Sequence, residues 1–282
     1  MARSCACGSP NATSSPSSTP TPDSARGTWT LLYLVLTHLP PDQVARHLEA
    51  LERALPGRRF AVCYGGPADA FDALDVPAKA FVDDPSLRGP IGEQSYVELL
   101  RVAYESFVAP DPSVEMVHLL EYDHAIADER YEREILRVLD QTGADFLGQI
   151  CVDRTSTNWW HSVRLLDDDE LWRFLAEITV RDEDEPRLFG GIANAVTIKR
   201  AALEAFARLP RHLDRYCEVY VPTVLHHLGF MVGDACPTST VFDWIRWTPP
   251  FEAGEIEALP EEVLAVHPVK DYALLDLVIR RR

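Results

Sequence analysis

Two carboxylates one residue apart close an apolar run in the stretch "HLLEYDHAI" (118–126). The run before them has the length of a buried strand, so Glu121 and Asp123 lie where that strand is predicted to end. Residues i and i+2 of an extended chain point to the same side, and the two carboxylates can therefore converge. A divalent cation relieves their repulsion, because Mg²⁺ or Mn²⁺ is typically held by one or two carboxylates together with substrate phosphates. The simpler alternative is a polar strand exit in which Asp123 caps a turn.

The elements around this pair predict an α/β fold. Strands that are apolar on both faces and alternate with amphipathic helices indicate a mostly parallel, Rossmann-like sheet with helices on both sides. In such open sheets, ligands bind beyond the carboxyl ends of the strands, which is where the carboxylate pair lies. The predicted strands are residues 30–36, 59–66, 79–84, 114–120 and 144–150.

Composition divides the chain into a tail and one domain. Residues 1–27 are rich in Ser, Thr and Pro with little to bury, which predicts a disordered tail. Residues 28–282 are predicted to form a single domain. Its strand–helix alternation breaks over 150–187, which predicts an inserted segment or lid. Beyond it the pattern predicts helices around 198–208 and 222–228, and the last forty or so residues look irregular.

The totals exclude several classes of protein. The formal net charge of −17 over 282 residues argues against a general binder of nucleic acid or anionic membranes. No apolar run approaches the roughly 18–20 residues of a membrane span, and the N-terminus lacks a secretory signal pattern. The six cysteines form no CxxC pair. We expect a cytoplasmic protein without a membrane span or a nucleic-acid partner.

Four short motifs, taken in chain order, resemble those of the nucleotide-sugar glycosyltransferases of the GT-A fold. "EYD" (121–123) takes the place of the acidic motif at the end of a central strand, and "FGGIANA" (189–195) resembles the glycine-bearing segment that follows the insertion. "CEVYVP" (217–222) resembles the helix that bears a catalytic acid, and "HPVK" (267–270) the C-terminal metal and phosphate element. The acidic motif begins with Glu rather than Asp, which leaves Glu121 to contact a ribose or water rather than the ion.

The resemblance implies a metal-dependent transferase that moves a sugar from a nucleoside-diphosphate sugar, with a UDP-sugar favoured, to an unidentified hydroxyl acceptor. Asp123 and His267 would hold Mn²⁺ or Mg²⁺, and Lys270 would bind the leaving phosphate. Glu218 would be the catalytic base of an inverting transfer, whereas a retaining transfer would not need it. The alternative for Glu218 is a charge near the start of a helix that is predicted to begin at Pro222.

Other residues are candidates by type and position. Gly65 would let the backbone approach the nucleotide, and Gly190 and Gly191 would let it approach the donor sugar or the acceptor. Within the 150–187 insertion, which the resemblance puts on the acceptor side, Trp159, Trp160 and His161 would form the acceptor platform, since the faces of tryptophan stack on sugar rings. The alternatives are tight turns for the glycines and core anchors of the insertion for the tryptophans.

Two other functions stay open at this point. A nucleotidyltransferase usually carries a glycine-rich, basic loop after its first strand, but "THLPPDQ" (37–43) has neither Gly nor Lys. The other alternative is a non-catalytic carbohydrate- or partner-binding protein with a glycosyltransferase-like shell. Metal-dependent nucleotide binding would separate the enzyme from this binding protein, because a degenerate shell would have lost that property.

Overall fold

The computed structural model describes residues 30–89, 93–182 and 186–279. The tail predicted over 1–27 lies outside these ranges. Within them, the chain forms a seven-stranded sheet, a separate two-stranded sheet and helices on both faces of the larger sheet. No helix among the described residues is both long enough and apolar enough to cross a membrane.

The strands match most of the predicted apolar runs. They are β1 (Leu31–Thr37), β2 (Arg59–Tyr64), β3 (Lys79–Phe81), β4 (Met116–Glu121), β5 (Ala125–Ile126), β6 (Phe146–Asp153), β7 (Phe189–Lys199), β8 (Val232–Asp234) and β9 (Ala265–Val266).

The helices fill the intervals between the strands. The α-helices are α1 (Pro41–Ala54), α2 (Ala68–Asp72), α3 (Val97–Ala103), α4 (Arg130–Thr142), α5 (Trp160–Leu166), α6 (Asp169–Ile178), α7 (Arg200–Ala207), α8 (Cys217–His227), α9 (Ala253–Ala258) and α10 (Leu275–Ile279). Short 3-10 helices span Pro85–Arg88 and Tyr272–Leu274, and a π-helical turn over Tyr104–Val108 extends α3.

The large sheet has the strand order β3-β2-β1-β4-β7-β6-β8. Only β7 runs against its neighbours, since it pairs antiparallel with β4 and β6 while the other pairs are parallel. The prediction of a mostly parallel α/β sheet flanked by helices is therefore confirmed. Because β7 runs backwards, its first residues extend past the carboxyl end of β4.

Burial on both faces explains why β1 is a continuous apolar run. Leu32, Leu34 and Leu36 pack into the core that α3, α6, α7 and α8 cover. Leu31, Tyr33 and Val35 face the opposite core, beneath α1 and α4. Alternate residues of a strand point to opposite faces, so a strand covered by helices on both sides needs apolar residues at every position.

Two predicted boundaries were wrong. The helix expected to begin at Pro222 begins at Cys217, with Pro222 in its interior. That proline removes one helical hydrogen bond, which the helix tolerates because nearly all of its residues are buried. The segment predicted as a strand and loop before α7 is one strand of 11 residues, β7.

The C-terminal region, expected to be irregular, contains short elements that dock beside the end of β4. β9 pairs antiparallel with β5, so that Val266 lies opposite Ala125 and Ala265 opposite Ile126. The next residue, His267, forms an isolated bridge with Ile245. This pairing carries the C-terminal motif to the edge of the sheet where Glu121 and Asp123 lie.

Candidate functional site

Glu121, Asp123 and His267 form a cluster beyond the carboxyl end of β4. One ligand atom from each residue lies within 4.8 Å of the others. The Nε2 atom of His267 is 3.0 Å from Oδ1 of Asp123 and 3.4 Å from Oε2 of Glu121. Asp123 and His267 are buried, and Glu121 is partly exposed. It is the only such group of three possible ligands among the residues that the structure describes.

A turn, rather than an extended strand, brings the two carboxylates together. β4 ends at Glu121, and the backbone N–H of His124 donates to the Glu121 carbonyl oxygen at 3.0 Å. The reasoning that placed residues i and i+2 on one face of an extended chain was therefore wrong, although the two side chains do meet. The backbone N–H of Val269 donates to the carbonyl oxygen of Asp123 at 2.8 Å and fixes the turn against the C-terminal segment.

The ring of His267 is oriented by its second nitrogen. Nδ1 lies 2.9 Å from the carbonyl oxygen of Arg246, to which it donates, and 3.0 Å from the side-chain amide of Asn194. A neutral imidazole that donates through Nδ1 keeps a lone pair on Nε2. Metal-binding histidines typically donate their other ring nitrogen to a carbonyl or carboxylate in this way.

The cluster fits a divalent cation. Oδ1 of Asp123 and Nε2 of His267 are buried, face each other across 3.0 Å and have no other hydrogen-bond partner among the described residues. Two bare acceptors at this distance would be costly, and one proton or one cation between them satisfies both. Burial lowers the pKa of His267, but Asp123 and Glu121 outweigh it and raise that pKa to about 9 in the metal-free protein. A proton on Nε2 and a cation are thus alternative occupants of one position.

Tyr96 holds the second carboxylate. Its hydroxyl donates to Oε1 of Glu121 at 2.8 Å, and Oε2 of the same group faces His267. Burial, followed by the charge of Glu121, raises the pKa of Tyr96 well above its ordinary value. Tyr96 therefore stays protonated and acts as a permanent donor.

Lys270 lies at the mouth of the cluster. Its ammonium pairs with Oδ2 of Asp123, donates to the hydroxyl of Tyr122 at 2.6 Å, and lies 4.4 Å from the centre of that ring. The hydroxyl of Tyr272 donates to the Tyr122 carbonyl oxygen at 2.7 Å. Burial raises the pKa of Asp123, but His267 and Lys270 outweigh it and hold that pKa below its ordinary value.

Glu218 lies in the first turn of α8 and contacts the part of β7 that extends past β4. Its Oε1 accepts from the backbone N–H of Ala193 at 3.1 Å, and the side chain also bonds to Tyr216. Burial is the largest influence on this carboxyl and raises its pKa to about 7, although both hydrogen bonds oppose the shift. A carboxylate with a pKa near neutrality is suited to accept a proton at physiological pH.

Comparison with known proteins finds glycosyltransferases among the solved structures. A glycosyltransferase involved in the glycosylation of the major capsid of PBCV-1 is 13% identical, with 87% of this chain and 96% of that chain covered and a TM-score of 0.41. The galactosyltransferase LgtC, solved in complex with donor and acceptor sugar analogs, is also 13% identical, with 71% and 72% covered and a TM-score of 0.34. No family model and no curated protein matches the chain.

The candidate glycines are constrained by their neighbours. A Cβ atom on Gly190 would lie 2.6 Å from the ring of Trp159, and one on Gly191 would lie 2.7 Å from the backbone of Cys151 and of Gln149. A Cβ atom on Gly65 would lie 3.1 Å from Leu87. Backbone packing therefore requires glycine at 191, whereas a side chain at 190 would have to displace the ring of Trp159.

The two candidate tryptophans differ in exposure. Trp159 is partly buried against Gly190, whereas Trp160 at the start of α5 is 51% exposed. Gly191 lines one small cavity together with Glu218, whereas Gly65 follows β2 and donates its N–H to Thr37. None of the candidate glycines and tryptophans belongs to the cluster of Glu121, Asp123 and His267.

Sequence reasoning missed three residues that shape the site. Tyr96 has the spacing of a core residue on a helix, and nothing in the sequence indicates a role for its hydroxyl. Tyr216 precedes the helix that was placed too late. Asn194 carried a readable signal, because it is an isolated polar residue between Ala193 and Ala195 in a buried strand.

Proposed function

We propose that the protein is a metal-dependent glycosyltransferase, which moves a sugar from a nucleoside-diphosphate sugar to an acceptor hydroxyl. The observation that carries the proposal is the buried pair Oδ1 of Asp123 and Nε2 of His267, which face each other across 3.0 Å at the carboxyl edge of the sheet with no other hydrogen-bond partner among the described residues. Ligands of open α/β sheets bind at this edge.

The donor set supports a cation that also binds phosphate. Asp123, His267 and Glu121 supply three ligands at most, which leaves positions for diphosphate oxygens and water. We propose Mn²⁺ in preference to Mg²⁺, since one ligand is a nitrogen and Mg²⁺ sites are built from oxygens. The ion, when bound, would neutralise charge on the leaving diphosphate. Lys270 adds a second positive charge at the same place.

Glu218 supports the transfer step. Its carboxylate would take the proton from the acceptor hydroxyl as that oxygen attacks the anomeric carbon. A base of this kind, on the face opposite the leaving diphosphate, corresponds to an inverting transfer. We propose a UDP-sugar as the donor because of the family resemblance of the four sequence motifs.

The turnover test uses Asp123. Wild-type protein is incubated with UDP-, GDP-, dTDP- and CDP-sugars with Mn²⁺ or with a chelator, and release of the nucleoside diphosphate is followed. We expect Mn²⁺-dependent release from one donor class, lowered at least about 100-fold in Asp123→Asn. The control is Asp140→Asn, at the opposite end of α4 from the site. Release that is indifferent to Mn²⁺ and to Asp123→Asn would contradict the proposal.

The same assay separates the other functions. Release of pyrophosphate from a nucleoside triphosphate and a sugar phosphate would indicate a nucleotidyltransferase. Absence of turnover, together with sugar binding that needs no nucleotide, would indicate a binding protein.

A further inference from the structure

A second cavity, here called the polar groove, opens between α5 and the segment that leads into α8. Glu93, His161, Asp168, Arg215 and Tyr216 contribute to its walls. It is separate from the cluster of Glu121, Asp123 and His267, and none of those three residues lines it.

The polar groove contains a buried side chain whose hydrogen-bonding groups lack partners. His161 is only 8% exposed, and its ring packs against two others. The distance between ring centres is 3.7 Å to Trp160 and 4.2 Å to Tyr216. Within the described ranges, its ring nitrogens make no hydrogen bond. Burial, with a smaller contribution from Arg164, lowers the pKa of His161 to about 4. The ring is therefore neutral and offers one donor and one acceptor to a ligand.

The charges around the polar groove indicate what kind of ligand fits. Arg215 is held by Asp168 at 2.5 Å and by Glu170 at 2.9 Å. Glu93 and Asp214 add two further negative charges to the lining, against the one positive charge of Arg164. This balance disfavours an anionic ligand. A neutral molecule with several hydroxyl groups can use both the donor and the acceptor of His161.

The polar groove is joined to Glu218 by a short path. Tyr216 stacks on His161 and bonds to Glu218. The N–H of the intervening residue, Cys217, donates to the carbonyl oxygen of Gln94 at 2.9 Å, which fixes the end of the groove beside Glu93. Glu218 does not line the groove itself, so a ligand there would reach the carboxylate that the proposed function uses as a base past the side chain of Tyr216.

We propose that the polar groove binds the acceptor and that the acceptor is a neutral sugar or glycan. The inference rests on the proposed function and names the acceptor class for it. His161 hydrogen-bonds the hydroxyls of the acceptor, and the exposed Trp160 stacks on its ring at the rim. In the transfer, the acceptor oxygen bonds to the anomeric carbon and its proton passes to Glu218. The bond from that carbon to the diphosphate breaks, and its electron pair leaves with the diphosphate.

Direct binding tests this proposal without turnover. Saturation-transfer NMR is recorded on the protein with a panel of p-nitrophenyl glycosides of common neutral hexoses, in Mg²⁺ and UDP. We expect the wild type to bind at least one glycoside. His161→Phe keeps the stacked ring but removes both nitrogens, so the Kd rises about fivefold, as loss of a hydrogen bond predicts. His161→Asn restores a donor and an acceptor and recovers part of that loss.

His212→Phe is the matched control. His212 also contacts aromatic rings, at 4.6 Å from Phe206, but it does not line the polar groove. We expect its glycoside Kd to equal that of the wild type. A Kd that is the same in His161→Phe and the wild type would overturn the proposal. A wild type that binds none of the glycosides would also overturn it.

A separate titration with UDP and Mn²⁺ distinguishes the two proposals. Glycoside binding that depends on His161, in a protein that binds no nucleotide, would keep the polar groove as a sugar site and remove the transferase function. Nucleotide binding without glycoside binding would do the reverse.

Discussion

His267 and Glu121 each have two polar side-chain atoms, and the hydrogen bond of one atom orients the other toward the cluster. His267 keeps Nε2 available because Nδ1 donates to the carbonyl oxygen of Arg246. Glu121 presents Oε2 to the cluster because Oε1 accepts from Tyr96. Such outer contacts fix the orientation of a ligand before an ion arrives, and their removal commonly weakens metal binding by 10- to 100-fold.

Tyr96→Phe is expected to weaken Mn²⁺ binding about tenfold. The variant frees Oε1 of Glu121 and lets that carboxylate rotate away from His267. The measurement is a Mn²⁺ titration followed by electron paramagnetic resonance. Tyr104→Phe is the control, since Tyr104 is buried in the same core as Tyr96 and makes no hydrogen bond to Glu121 in the described part of the chain. Equal affinity in Tyr96→Phe and the wild type would contradict this role.

Glu218 predicts a pH dependence of the transfer. The base must be ionised, and its pKa is about 7, so the rate should rise through pH 7 and level off above it. Glu218→Gln should lower the transfer rate by about 100-fold or more and remove this step from the profile. A profile in which the wild-type rate falls between pH 6 and 8 would contradict the assignment.

The same carboxyl makes a prediction about stability. Its folded-state pKa lies above the ordinary value, so its contribution to stability is complete at low pH and is lost as pH rises through about 7. Glu218→Gln should therefore be more stable than the wild type at pH 8, by up to about 3 kcal/mol, and similar to it at pH 4. Urea unfolding at the two pH values measures the difference, with the exposed Glu257→Gln as control.

At the scale of elements, β6 and β7 pack so closely that a Cβ atom on Gly190 or Gly191 would overlap with neighbouring atoms. A Cβ atom on Gly191 would meet the backbone of Cys151 and Gln149, which cannot move alone, whereas one on Gly190 would meet the side chains of Trp159 and Arg154, which can. The two positions should therefore differ in their tolerance of alanine.

Gly191→Ala should lower the free energy of unfolding by about 1–3 kcal/mol, as overpacking does, and Gly190→Ala by less. Chemical denaturation measures both, and a change in tryptophan fluorescence should accompany Gly190→Ala because Trp159 must move. The control is Gly254→Ala in α9, where no atom lies within 4 Å of the added Cβ. That change should be neutral or slightly stabilising. A Gly191→Ala protein as stable as the wild type would contradict this packing account.

The elements also show what a sequence pattern can predict. β1, β2 and β4 were placed within about two residues because both of their faces are buried. β7 was missed as one strand because Gly190, Gly191 and Asn194 interrupt its apolar pattern, and packing and the site require them there. α8 was started too late because Pro222 was taken for a first-turn residue, yet burial holds a helix around it.

At the scale of the whole molecule, the site depends on contacts between distant parts of the chain. Asp123 and His267 meet because β5 pairs with β9, two strands of two residues each. Pairing this short leaves no periodic signal, so residue patterns alone could predict the carboxylates but not the histidine beside them. The family resemblance supplied His267. The sequence predicted an acceptor platform at Trp159, Trp160 and His161, which stays a prediction, but not the groove that Glu93, Asp168 and Arg215 form beside it.

The most direct test of the account is calorimetric titration of UDP into the protein, with Mn²⁺ or with a chelator. Binding should require Mn²⁺ in the wild type and in Asp140→Asn, and it should be at least about tenfold weaker in Asp123→Asn, which loses the charged ligand. UDP binding that is equally strong without the metal, or unchanged in Asp123→Asn, would contradict the central claim that Glu121, Asp123 and His267 hold the ion that binds the donor.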